Sequence, residues 1–278
     1  MTGWTSAQRR LITDAVAGAV AFDGPRPWDA VVGADRVEII ERNPRAGRDG
    51  TIACGAALAA AHLAVRVLGR AADWTWLPDP ARPALVGRVE AGSARVASAA
   101  ERARHRSLRA RPGEPPAFSA RPVDEVVLHG ITRAARTAEA LCRPVSAAEP
   151  LARLFPGSSE AHLVVLTEGD HRHDHLEAGM ALLRAVLTAA AAGLACSWST
   201  RVLGESTVRS GLARDCGGVP QIALRVGYPS PAFAQLRPRS VDLGVYRIPA
   251  GVAPGSAWQT SSARLRGVGG SGGAPSGA

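Results

Sequence analysis

The sequence predicts a fold of intermixed helices and strands, laid out twice along one chain. Three observations carry this. Helices and strands follow one another in similar order in the two halves. Each half holds one long apolar helix that ends at a glycine, the residue that best tolerates the left-handed turn after a helix. A shift of 124 positions then lays Gly55, Ala57, Leu58, Leu63 and Gly69 on Gly179, Ala181, Leu182, Leu187 and Gly193. Ala/Leu-rich helices supply some such matches by chance, and an ancient duplication supplies all of them. A duplicated chain is a homodimer in one polypeptide, and the face between its halves is a natural place for a ligand.

In chain order, residues 5–21 form a helix capped by Thr5, with Leu11, Ala15 and Ala19 at helical spacing. The stretch PRPWD breaks it, and RVEIIE at 36–41 is a strand. Thr51 to Leu68 is the first long apolar helix. DWTWLPDP is a short strand and turn, ALVGRVEAG is a strand, and Ser93 caps a helix to about Arg106. In the second half Pro122 to Glu139 is a helix opened by proline. LCRPV is a weaker strand and HLVVLTE a stronger one. His175 to Gly193 is the second long helix, with Leu176, Met180, Leu183 and Leu187 on one face. AAGLACSWSTR leaves it as a polar turn, and PQIALRVGYP is a further strand. From Gly251 the composition turns to Gly, Ser and Pro, the signature of a disordered tail.

The bulk numbers exclude some classes. With 278 residues, 46% of them hydrophobic, the chain is long and apolar enough to bury a core. Its 33 basic residues are all arginine, and the formal charge is +9. Arginine forks suit phosphates and carboxylates and never lose their charge. Cys54, Cys142, Cys196 and Cys216 are scattered, with no C-x-x-C pair, which fits a reducing cytoplasm rather than a disulfide or zinc framework. No signal pattern opens the chain, and the apolar stretches near Ile52–Val65 and Ala185–Trp198 fall short of a membrane span, so a cytoplasmic protein without a membrane partner is expected.

Several motifs point nowhere. GVGGSG at 267–272 has dinucleotide-binding spacing but no strand before it and no helix after it. His171, His173 and His175 alternate, yet sit in a loop leading to a helix, with Asp174 near its cap; no metal is expected. A nucleophile elbow, a P-loop and H-E-x-x-H are all missing.

The arginines say more. RHRSLRAR, Arg104 to Arg111, places Arg106, Ser107 and Arg109 where a helix gives way to a Pro-rich loop. Two guanidiniums and a hydroxyl at that spacing can converge on one phosphate. Arg104 and Arg111 are read as solvated. A nucleic-acid surface would want wider charge and interleaved aromatics, and no aromatic follows before Phe118. In LRPRS, Arg237 and Arg239 lie two apart and can reach one anion from an extended segment. Between the two clusters, Ser197, Ser199 and Thr200 offer polar groups to a flat ring.

Taken in order, HRSLR, AAGLACSW, LRVGYP with RPR, and NPRAGRDGTIACGAAL resemble motifs of the nitroreductase family of FMN flavoproteins. They are more similar still to its Acg-like branch, in which two such halves are fused. The resemblance implies an α+β fold: mixed, mainly antiparallel sheets wrapped by helices, duplicated as a single-chain pseudo-dimer. It implies a degenerate half at 1–92, a flavin-binding half at 93–250 and a tail at 251–278. It implies that Arg106, Ser107 and Arg109 hold the FMN phosphate from one side and Arg237 and Arg239 from the other. His105 would lie near the ribityl chain or ring, with Ser197, Trp198 and Thr200 beside the ring. The implied activity passes hydride from NAD(P)H through flavin to a small-molecule electron acceptor, a quinone or a nitroaromatic. One flavin is expected, because only the second half carries both arginine clusters. The chain would be a pseudo-dimeric monomer or a homodimer, without a nucleic-acid partner. One stretch departs from the family's S-x-x-N-x-Q-P-W: AFDGPRPW keeps Pro27 and Trp28 but holds Ala21, Gly24 and Arg26 at the polar positions. That departure leaves open a protein that holds flavin with little turnover. Charge alone supports the more distant alternative, a basic nucleic-acid-binding protein.

Overall fold

The computed structural model describes residues 3–22, 25–43, 47–77, 79–110, 118–146 and 160–230. Helix α1 (Ser6–Ala17) is opened by Thr5, whose hydroxyl accepts from the Gln8 amide while the Gln8 side chain accepts from the Thr5 amide. This reciprocal pair satisfies two amides that a helix start leaves open. Then come β1 (Trp28–Val32), β2 (Arg36–Glu41), the long helix α2 (Arg48–Val67), β3 (Arg70–Trp76), β4 (Leu85–Ala94) and α3 (Ala99–Ala110). Next are α4 (Glu125–Ala135), β5 (Ala140–Pro144), β6 (Ala161–Thr167) and the second long helix, α5 (Arg172–Ala191). β7 (Ala195–Ser199), a 3-10 turn (Arg201–Gly204), α6 (Ser206–Cys216) and β8 (Val219–Gly227) complete the described order.

The strands form two four-stranded sheets, ordered β1-β2-β4-β3 and β5-β6-β8-β7. Every pairing within them is antiparallel, and both orders trace the same path. Both sheets are irregular at their central pairing, and the first also in β3 against β4, between Arg70 and Ala72. β2 shifts register against β4 at Ile39/Ile40, and β6 shifts against β8 at Val165/Leu166. Helices α2 and α5 hold 20 residues each and lie 124 positions apart at both ends.

Those two helices cross at the centre of the core. A Cβ on Gly55 would collide with the carbonyl of Leu176, and a Cβ on Gly179 with that of Ile52. The contact is isologous: the shift that maps Gly55 onto Gly179 also maps Ile52 onto Leu176. Glycine is required because backbone stands where a side chain would go. Nearly every residue of α2 is buried, so its apolar surface faces protein all round. At 20 residues it has the length and composition of a membrane span, longer than the sequence suggested, and it is packed inside the fold.

Two arginines lock the crossing at its ends. Arg48, the first residue of α2, donates to the side chain and carbonyl of Gln221 at 2.8 and 2.6 Å. Arg172, the first residue of α5, donates to the Pro83 carbonyl and to buried Glu41, both at 2.7 Å. Each long helix therefore opens by reaching into the opposite sheet.

The structure corrects several local expectations. PRPWD does not simply break the chain: β1 starts at Trp28, directly after Pro27. Proline at the entry to an edge strand costs no ladder hydrogen bond. Ser93 lies inside β4, and Ser98 caps α3, accepting from the Glu101 amide while Glu101 accepts from the Ser98 amide. Helix α4 starts after Asp124, not at Pro122. The polar turn expected in AAGLACSWSTR is strand β7, at the edge of its sheet. The tail from Gly251 lies outside the described residues.

Candidate functional site

The expected phosphate grip begins on α3. Arg106 is exposed and has no ion pair among the described residues. Ser107 is half-buried, and its hydroxyl donates to the Ala103 carbonyl one turn back at 3.2 Å. His105 faces inward and is 8% exposed. Arg109 occupies the last turn of α3. Arg237 and Arg239 lie outside the described residues.

Phe118 is pinned to the exit of β8. Phe118 bridges Pro229, and the Ser119 amide donates to the Tyr228 carbonyl at 2.8 Å. The Phe118 ring stands where a Cβ on Gly227 would go. Arg225 lies over that ring at 5.1 Å and pairs with Glu160. Arg121 stacks on Tyr228 at 3.9 Å. Phe118, Ser119, Tyr228 and Pro229 thus form one hydrogen-bonded corner. β7 borders the same corner, since Ala195 pairs with Gly227.

The residues expected beside the ring lie along β7 and just after it. Ser197 is 2% exposed, and Trp198 is half-buried against the main core. Thr200 is 7% exposed, and its hydroxyl donates to Asp49 of α2 at 2.9 Å. The shift of 124 maps Thr200 onto Trp76, at the end of β3. Trp76 likewise donates, through its indole, to an acid on the opposite long helix, Glu177 of α5, at 2.5 Å. The two sheets end their third strands in the same way with different chemistry.

The His171–His175 stretch forms the start of α5 rather than a loop. His171 is the cap, and its amide donates to Asp174 at 2.8 Å. His173 lies against Trp76. His175 contacts Asp170 at 2.9 Å, beside Arg209 at 2.6 Å and the Gln221 amide at 3.2 Å. Burial alone would raise the Asp170 carboxyl, but bonds from His175, Gln221 and Arg209 outweigh it and hold the group down at about 2. Asp170 is thereby a fixed anion that ties α5, α6 and β8 together.

One residue overturns its expectation. Arg104 is not a solvated helix end: it is half-buried and lines a cavity of about 550 Å³ between α2, α3, α4 and α5. Arg133 and Arg184 line the same cavity. The sequence held a signal for it. Arg184 interrupts MALLRAVLTAA, and a charge inside a buried apolar helix needs a reason.

No protein-family model and no curated protein sequence matches this chain. The chain has partial similarity to several solved structures. A protein described as a nitroreductase, in complex with FMN, from Desulfovibrio desulfuricans is 18% identical with a TM-score of 0.39, over 48% of this chain and 87% of its own. Nitroreductase A from Vibrio parahaemolyticus is 15% identical with a TM-score of 0.37, over 50% and 77%. A nitroreductase family protein from Clostridium difficile is 15% identical with a TM-score of 0.32, over 42% and 79%.

Proposed function

We propose that the chain is an FMN-binding oxidoreductase of the nitroreductase type, built as an internal repeat with halves at 1–92 and 93–250. The observation that carries the reading is the pairing of Phe118 and Ser119 with Pro229 and Tyr228. It brings the chain nine residues after Arg109 beside the chain eight residues before Arg237, which supports a reading in which both clusters serve one phosphate. The bound flavin would supply hydride chemistry between NAD(P)H and a small electron acceptor such as a quinone or nitroaromatic.

The residues fit the phosphate end better than the ring end. Arg106 offers an exposed guanidinium, and charge-assisted bonds of this kind are the strong ones. The Ser107 hydroxyl can turn from the Ala103 carbonyl to a phosphate oxygen, exchanging one bond for another. Trp198, half-buried at the sheet edge, gives a flat apolar wall. Arg237 and Arg239 would close the grip from the far side. Ser197 and Thr200 are already buried, and the Thr200 hydroxyl is committed to Asp49.

That commitment favours a second reading: a protein that holds flavin and turns over slowly. Ala21, Gly24 and Arg26, at positions where polar ring contacts are expected, support it as well. One experiment separates the readings. The purified chain is mixed with FMN, its visible absorbance is recorded, and NADPH is added with and without a quinone. Flavin absorbance that bleaches with NADPH and returns with quinone supports the oxidoreductase. Bound flavin that NADPH leaves unbleached supports the holding protein, and no bound flavin rejects both.

A further inference from the structure

We infer that the chain carries a second ligand site, the cavity of about 550 Å³ between α2, α3, α4 and α5, and that it takes a small amphipathic carboxylate. Three guanidiniums line it from three helices: Arg104 on α3, Arg133 on α4 and Arg184 on α5. Its walls are otherwise largely apolar, with Leu63, Leu183 and Leu187 among them. A volume of this size, apolar with a few convergent polar groups, is the usual form of a small-molecule site.

Positive charge outnumbers negative among the described lining residues, although Glu101 attracts Arg104 and, from outside the lining, Glu177 attracts Arg184. The one carboxylate among them, Glu101, is already taken. It accepts from Arg66 at 2.9 and 3.2 Å and from the Ser98 amide at 2.6 Å. His62 is neutral and donates to the Ala72 carbonyl at 3.1 Å, so it adds no charge of either sign. Burial lowers the Arg184 guanidinium from its ordinary value, and the Arg104 charge lowers it further. Burial lowers Arg104 as well. Two half-buried like charges oppose each other, and an anion between them relieves both costs.

Two of the three cations, Arg184 and Arg104, are held in place. Arg184 donates to the Arg136 carbonyl at 3.2 Å and lies over Trp74 at 5.5 Å. Arg104 donates through Nε to the Ala100 carbonyl at 3.4 Å, leaving the end of its fork for a ligand. A planar carboxylate matches such forks, and the leucine walls suit a short hydrocarbon body. Gly130 on α4 lines the cavity and has open space where a Cβ would stand.

The test is calorimetric titration of sodium octanoate into the full chain, into Arg104→Gln and into Gly130→Leu. The second variant fills the cavity without removing a charge and replaces a mid-helix glycine with a better helix former, so its fold is kept. Binding to the parent chain, weakened roughly tenfold or more in both variants, supports the site. No binding to the parent, or equal binding to all three, overturns it. Inorganic phosphate that displaces octanoate at equal concentration would reduce the site to a bare anion hole and overturn the amphipathic ligand. FMN that displaces octanoate would make this the flavin cavity and overturn a second site. Failure of the chain to bind FMN at all touches only the flavin reading.

Discussion

Gly179 lies directly against the carbonyl of Ile52, and Gly55 makes the same contact with the carbonyl of Leu176. The crossing of α2 and α5 is therefore backbone on backbone, at the most buried point of the fold. A methyl at either position has no flexible side chain to push aside. Gly55→Ala and Gly179→Ala should each destabilise the chain by about 3 kcal/mol or more, as overpacking does. Urea denaturation measures this, and a loss below about 1 kcal/mol would mean that the helices separate easily.

Arg172 and Glu41 form the second lock. The Glu41 side chain is fully buried and also accepts from Thr51 at 3.1 Å. Arg172→Ala strands that carboxylate and should cost about 3 kcal/mol. Adding Glu41→Gln should recover part of the loss, because an amide is cheaper to leave unpaired than a charge. A double-mutant cycle showing simple additivity would refute the coupling.

His62 gives the fold an acid sensitivity. Burial first, then the Arg184 charge, lowers its imidazole from 6.5 to about 4, against the opposing bond to Ala72. Between those values the unfolded chain holds a proton that the folded chain refuses. Stability present above about 6.5 is therefore lost as the pH falls towards 4, by on the order of 3 kcal/mol from this group. His62→Gln cannot titrate, so its stability should change less across that window. Equal slopes in urea titrations at pH 6.5 and 4 would show that His62 does not carry the effect.

The proposed phosphate grip predicts unequal arginines. Arg109→Ala should weaken FMN binding roughly tenfold or more, and Arg111→Ala much less. Quenching of flavin fluorescence gives both constants. Equal effects would turn the stretch into a general basic patch.

Regular, strongly patterned elements were legible in the sequence. RVEIIE gave β2 to the residue, and the two long helices were found in place, each starting three residues earlier than Thr51 and His175. The losses have physical causes. β1 follows two prolines, and an edge strand tolerates them as an inner strand would not. β7 reads as a turn because Ser197 and Ser199 carry little strand preference; its pairing to β8 makes it a strand. Helix α6 has Gly211 inside it and few apolar residues, with Val208 and Leu212 as its buried side chains. In the proposed flavin site, Arg106 and Ser107 are named from a local sequence motif. The cavity at Arg104, Arg133 and Arg184 could not be named so, because its charges come from three helices that meet only in the folded chain.

Trp76 and Thr200 occupy equivalent places, yet one offers an indole to Glu177 and the other a hydroxyl to Asp49. Two identical subunits cannot do this, since a change on one side of their axis is copied to the other. A single chain holding both sides is free of that copying rule. One strand end can keep a hydroxyl while the other carries a bulky ring, and neither choice has to serve in two places.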